Sequence, residues 1–243
     1  MTDACKEYYN NLFIASNQVM EESFSELNTE SMAKGHAFIA DLSTWCSILD
    51  TRPEVMVLQS AIKEYQYSLL TLSTGQYRSS FASLRLTLEL AFATVQWSAN
   101  ERELREWLRG ERDGSWASLI DPSNGILSKS FVRLFSEILA EEAPRYRASA
   151  SAVYRECSEF VHGNAHTHQL IPDQLVFDKV LFDAWHTKAS VVRLVISFAL
   201  VARYLGSLSP SVRPRLESII SDQLGHSPGI QTILGQPAEA YNG

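Results

Sequence analysis

A chain of 243 residues, 45% hydrophobic and 20% charged, has the composition of a folded protein able to bury a sizeable core, not of a disordered or fibrous one. Its net charge of −7 excludes a general polyanion binder, although residues 1–50 hold eight carboxylates against Lys6 and Lys34, so the rest is near neutral and leaves room for a locally positive site built on arginines. Cys5, Cys46 and Cys157 suggest neither a disulfide framework nor a thiolate zinc site; the first ten residues lack a signal-peptide layout, and the apolar run at 194–202 is too short to span a bilayer, which together imply a cytoplasmic protein.

Residues 3–27 place Tyr8, Tyr9, Leu12, Phe13, Val19, Met20, Phe24 and Leu27 at three- and four-residue intervals and predict an amphipathic helix. A second helix is expected from Thr29 or Ser31 to about Leu49, with Phe38, Ile39, Leu42, Trp45, Cys46 and Leu49 as its buried stripe. These two helices form an N-terminal extension, residues 1–52, packed on the main domain at 53–224. Arg52-Pro53 breaks the second helix, and Pro53 suits the first turn of a third, which carries Val57, Leu58, Ile62, Tyr65, Leu69 and Leu72 and ends near Gly75. The fourth helix, about 77–108, is apolar almost all round in its middle and belongs at the centre of the bundle. Arg85 and Glu89 interrupt it at i and i+4, either as an ion pair fixing register or as support for the charge of a neighbouring site.

Gly110, Gly114, Pro122 and Gly125 mark a long irregular connection. A short helix at 131–139, stopped near Pro144, is followed by one at 146–162, a polar loop at 163–174 and a long helix at about 175–205. The last carries Val176, Val180, Trp185, Val192, Val195, Ile196 and Leu200, with Asp173 placed to cap it and Gly206 to end it. A short amphipathic helix at 211–224 precedes a loosely ordered tail, 225–243. No segment alternates with period two, so the fold class is all-α, a multi-helix bundle with long central helices. Phosphate-binding loops of the GxxxxGK[ST] and GxGxxG kinds, HExxH and GxSxG are all missing.

The chemistry-bearing stretch is 154–168, YRECSEFVHGNAHTH, which holds three of the six histidines. Arg155 and His162 are seven residues apart, so on a helix they share a face, offset by about 20° and separated by roughly 10 Å along the axis. That spacing admits a phosphate between a permanent cation and a titratable ring. A purely structural reading stands beside it: His162 complements the helix dipole in the last turn, and Arg155 pairs with Glu159 at i+4. Metal binding by His162, His166 and His168 would need a carboxylate such as Asp173 or Glu159 to complete a site, and neither a metal nor another cofactor is expected.

An arginine followed by four to six residues and a histidine, late on a helix of a small helical domain, is the motif of the HEPN (higher eukaryotes and prokaryotes nucleotide-binding) superfamily, and Arg155-Glu-Cys-Ser-Glu-Phe-Val-His162 resembles it. The run LRLTLEL at 84–90, followed later by YRECSEFVHGN, is similar to HEPN-type proteins of abortive-infection and phage-defence loci, over about residues 55–206. The resemblance implies a metal-independent endoribonuclease acting as a homodimer, with Arg155 and His162 catalytic, or else a non-catalytic module that binds a nucleotide or a partner protein. It also implies a restraining or activating partner, because a free ribonuclease would harm its host. Tyr154, Asn164, His166 and His168 are the expected substrate-binding neighbours, with Arg85, Glu89 and Glu159 in support. RNA supplies its own nucleophile in the 2′-hydroxyl; double-stranded DNA has none and is not an expected partner, nor is a membrane.

Overall fold

The computed structural model describes residues 2–162 and 165–235, apart from the side chains of Thr2 and His166. Among these residues it has twelve α-helices and no strand: α1 (Thr2–Ser23), α2 (Thr29–Ile48), α3 (Val55–Ser73), α4 (Tyr77–Ala99), α5 (Glu101–Leu108), α6 (Trp116–Leu119), α7 (Lys129–Phe135), α8 (Ala143–Val161), α9 (Ala165–Leu170), α10 (Lys179–Tyr204), α11 (Pro214–Leu224) and α12 (Pro228–Ile233). The all-α expectation holds.

Helix α4 lies at the centre, packed by α3, α8 and α10. It follows α3 through a tight reversal in which Gly75 takes φ +78 and Gln76 N–H donates to Thr71 O at 2.8 Å, so the left-handed residue closes the end of α3. Small residues let the three helices approach closely. Ser68 of α3 donates to the Ser80 carbonyl of α4 at 2.6 Å, and the buried Trp185 indole of α10 donates to Ser68 Oγ at 3.0 Å.

Several boundaries differ from the sequence reading. The helix expected at 77–108 is two: Asn100 leaves helical geometry and its side chain accepts from Glu103 N–H, starting α5 afresh. Pro144 does not stop a helix but sits in the first turn of α8, where its missing N–H costs no hydrogen bond. Asp178, rather than Asp173, caps α10 by accepting from Leu181 N–H at 2.9 Å, so Val176 precedes the helix. Part of the supposed loop at 163–174 is the short α9. Residues 228–233, expected in a loose tail, form α12: Ile230 is buried, and Glu142 accepts from Ser227 Oγ at 2.8 Å and Gly229 N–H at 3.0 Å.

By length and composition α10 with its following turn (Lys179–Ser207) is apolar enough to cross a membrane, yet 78% of its most apolar window is buried in the fold. The arginines that bracket the run are themselves inside. Arg193 donates to Tyr65 Oη at 3.4 Å; Arg203 donates to Ser98 Oγ at 2.6 Å and lies over the Phe135 ring at 4.1 Å. Of the N-terminal extension, α2 belongs to the common core through Phe38, Leu42 and Trp45. Helix α1 does not: Val19 and Ser23 are buried, whereas residues 3–11 are all exposed.

His186 of α10 is wedged edge-on against Phe182 and Trp185, and its Nε2 has no hydrogen-bond partner. Burial, reinforced by Arg193, pushes its pKa from 6.5 down to about 4. Between those values the unfolded chain takes up a proton that the folded chain refuses, so this group's contribution to stability is lost as pH falls through the window. Melting temperature measured across pH 7 to 4 is expected to fall less steeply in His186→Gln than in the parent protein.

Candidate functional site

Helix α8 buries Tyr146, Ala150, Val153, Cys157 and Phe160, a stripe at helical spacing, against α4 and α10. Phe160 stacks on Phe81 of α4 at 4.0 Å between centroids, and Tyr146 on Phe198 of α10 at 3.8 Å. The Cys157 thiol, pushed up to about 12 by burial, is a packing group and not a nucleophile. With that face fixed, Arg155, Glu159 and His162 are left on the exposed side.

The C-terminal turn of α8 is where the candidate residues gather. His162 N–H closes the helix onto Ser158 O at 3.0 Å, after which the backbone turns extended (ψ 139). Arg78, from the first turn of α4, donates through Nη2 to the Val161 carbonyl at 3.3 Å, and its Nη1 lies 3.5 Å from His168 Nε2. One guanidinium thus satisfies an orphan carbonyl at the negative end of the helix dipole and holds a second histidine beside it. The Thr167 hydroxyl donates to Glu159 O at 2.9 Å, tying α9 back onto α8. Asn164 and the His166 side chain lie outside the described residues.

Glu156, next to Arg155, is held by Lys188 of α10 at 2.5 Å. The Arg155–Glu159 pair expected on spacing does not form, and among the described residues Arg155 has no hydrogen-bonding or ion-pair partner. Arg155 is therefore a cation on an exposed surface whose nearest carboxylate in sequence is neutralised by another residue.

Tyr154 is placed elsewhere. Its ring stacks on Trp116 of α6 at 3.8 Å with an interplanar angle of 4°, and the Arg85 guanidinium lies over it at 4.6 Å. Arg85 also donates to the Tyr154 hydroxyl and pairs with Glu89 at 2.8 Å. Burial raises the Tyr154 pKa, against the opposing pull of Arg85. Arg85, Glu89 and Tyr154 thus make a packed knot at the α4–α8 junction, which favours the register-fixing alternative for the Arg85–Glu89 pair. Arg78, Lys188 and Trp116 were not singled out in the sequence. Arg78 and Lys188 act across 83 and 32 residues, which spacing within one helix does not reveal.

Among the described residues no three His, Cys, Asp or Glu side chains cluster as a metal site. A cavity of about 890 Å³ opens between α1, the start of α4 and residues 171–175, and Arg78 lines it along with Tyr8, Leu12, Gln76 and Asp173. Comparison of the chain with models of known families, with curated proteins and with solved structures finds no match.

The knot is expected to be structural. Tyr154→Phe keeps the stack and loses the hydroxyl bond, lowering stability in urea unfolding by about 1 kcal/mol. Tyr154→Ala, which also vacates the space against Trp116, is expected to cost about 3 kcal/mol.

Proposed function

We propose that the chain is a HEPN-like, metal-independent endoribonuclease, with Arg155 and His162 as its catalytic pair, acting as an effector in prokaryotic anti-phage defence or a toxin–antitoxin pair. The observation that carries this reading is the state of Arg155: exposed, unpartnered among the described residues, and on the same exposed side of α8 as His162, while Glu156 is engaged by Lys188. A guanidinium in that state is available to grip a phosphate through two parallel hydrogen bonds. The metal independence, the dimer and the biological setting come from the motif resemblance.

In the proposed reaction a base takes the proton from the RNA 2′-hydroxyl, the 2′-oxygen attacks the adjacent phosphorus, and the bond to the 5′-oxygen breaks. A proton delivered to that oxygen completes the cleavage and leaves a 2′,3′-cyclic phosphate. His162 serves as base or acid, since imidazole ordinarily titrates near cellular pH. Arg155 stabilises the charge that builds on the phosphoryl oxygens. The Tyr154 hydroxyl is bound by Arg85, so the other proton-transfer role falls to His166 of the same chain or to His162 of a second copy across a twofold axis near the end of α8. The second of these agrees with the homodimer that the motif resemblance implies.

A second reading, a non-catalytic module that binds a partner protein, is favoured by the uncovered apolar side of α1. The two separate by experiment. Total RNA incubated with the purified protein in EDTA should be cut, giving cyclic-phosphate ends. His162→Ala and Arg155→Lys should each reduce the rate about a hundredfold or more. Because both side chains are exposed, melting temperature should barely move. Wild-type rates in both variants would remove the site; a large loss of melting temperature in His162→Ala would make the histidine a helix-end residue.

A further inference from the structure

The end of α8 carries a second cation besides Arg155. Arg78 stands in the first turn of α4, and its neighbour fixes its place: Tyr77 is buried, and its hydroxyl accepts from Asp178 N–H at 2.6 Å and donates to Val176 O at 3.3 Å. The carbonyl that Arg78 holds, that of Val161, is bonded to the His162 nitrogen, so the guanidinium sits at the backbone of the proposed catalytic histidine. Val161 and His168 occupy one N–H on each terminal nitrogen. The remaining donors have no partner among the described residues, and Arg78 makes no ion pair there.

The contact with His168 also fixes that ring. A guanidinium can only donate, so Nε2 must accept, which leaves the imidazole neutral with its proton on Nδ1. Held so, His168 is a hydrogen-bond donor rather than a proton-transfer group, and its Nδ1 has no partner among the described residues. The Thr167 hydroxyl on Glu159 O at 2.9 Å keeps α9, and His168 with it, against α8. Two exposed side chains with free donors, neither paired to a carboxylate, make a place for one anion. Room for more lies beyond Arg78. The cavity of about 890 Å³ that it lines is large enough for a nucleoside, and Tyr8 in the same lining offers a ring on which a base can stack. Asp173, the carboxylate of that lining, makes no ion pair with Arg78 and is free to accept from ribose hydroxyls.

We propose that Arg78 and His168 form a second phosphate site next to Arg155 and His162, holding the phosphate that neighbours the one to be cut while the adjoining nucleoside enters the cavity. The inference rests on reading the end of α8 as an RNA site. It narrows the substrate to a single strand, since a paired base is not free to leave its stack for a pocket.

The test is binding of a labelled, uncleavable 2′-O-methyl RNA single strand to the full chain, followed by fluorescence anisotropy across salt concentrations. Each phosphate neutralised on a single strand contributes about 0.7 to the slope of log affinity against log salt. Arg78→Ala should lower the slope by about that amount, and Arg78→Lys, which keeps the charge, should restore it. His168→Ala should weaken binding about threefold and leave the slope unchanged, because the ring it removes is a neutral donor. A merely loosened helix end would weaken all three variants alike, with no rescue by lysine. A parent slope in Arg78→Ala, a lysine variant that behaves as the alanine one, or no binding by the parent overturns the proposal. Duplex RNA bound as tightly as the single strand overturns the part given to the cavity. Cleavage in EDTA is scored separately. RNA cut by a protein whose Arg78→Ala variant keeps the parent slope retains the catalytic pair and removes this site, whereas the slope effect without cleavage retains this site and removes the catalytic pair.

Discussion

Helix α4 has almost no side it can show to water, and that constraint sets the arrangement of what surrounds it. Phe81, Leu84, Leu88, Phe92 and Val95 are buried along one side of the helix, and Thr87, Ala93, Thr94 and Trp97 on others, so α3, α8 and α10 must each supply a wall. The walls are registered by polar contacts placed where a slip would be costly. The Trp185 indole reaches Ser68, which bonds the Ser80 carbonyl, and an unpaired indole N–H at that depth would cost about 1–3 kcal/mol. Once α8 is pressed onto α4 through Phe160 and Phe81, its outward side and its final turn are decided, and Arg155 and His162 go with them.

Electrostatics in this protein depends on which cations are already committed. Arg85 is held by Glu89, Lys188 by Glu156, and Arg203 by Ser98 and the Phe135 face. These commitments decide where charge remains to act. Arg78 offsets the partial negative charge that the last carbonyls of α8 would otherwise present to an anion. Most uncompensated carboxylates of the first fifty residues are carried by α1 and the turn after it. A chain of net charge −7 can therefore hold a cationic spot without attracting polyanions at large.

Much of this was legible in the sequence, and the misses have physical reasons. Helical periodicity located α2, α3, α8 and the core of α10, because each presents one stripe to the same interior. It located α1 too, but not how little of its apolar side is covered, since periodicity reports amphipathicity and not whether a covering surface exists. The start of α10 moved because the cap is Asp178 and not Asp173, and Val176 and Val180 extend an apolar pattern that the structure leaves exposed. The break at Asn100 carried a signal, an Asn three residues before Glu103, hidden by the apolar run on either side. Arg155 and His162 could be singled out because one lies on α8 and the other directly follows its last turn. Arg78 and Lys188 could not, because their partners are distant in the chain and only packing brings them together.

Helix α8 is held at both ends by other elements: Glu142, just before its first turn, is bound by Ser227 and Gly229, and the carbonyl of Val161 in its last turn is bound by Arg78. It behaves as a strut of fixed length. Inserting or deleting one residue between those ends would rotate everything beyond the change by about 100° and shift it by about 1.5 Å, and neither anchor could absorb that. Phe160 would leave Phe81, and Arg155 or His162 would turn toward the interior according to which side of the change each lay. Single-residue length changes in this helix should therefore be far less tolerated than in the irregular connection around Gly110 and Gly114, where backbone lies open to solvent.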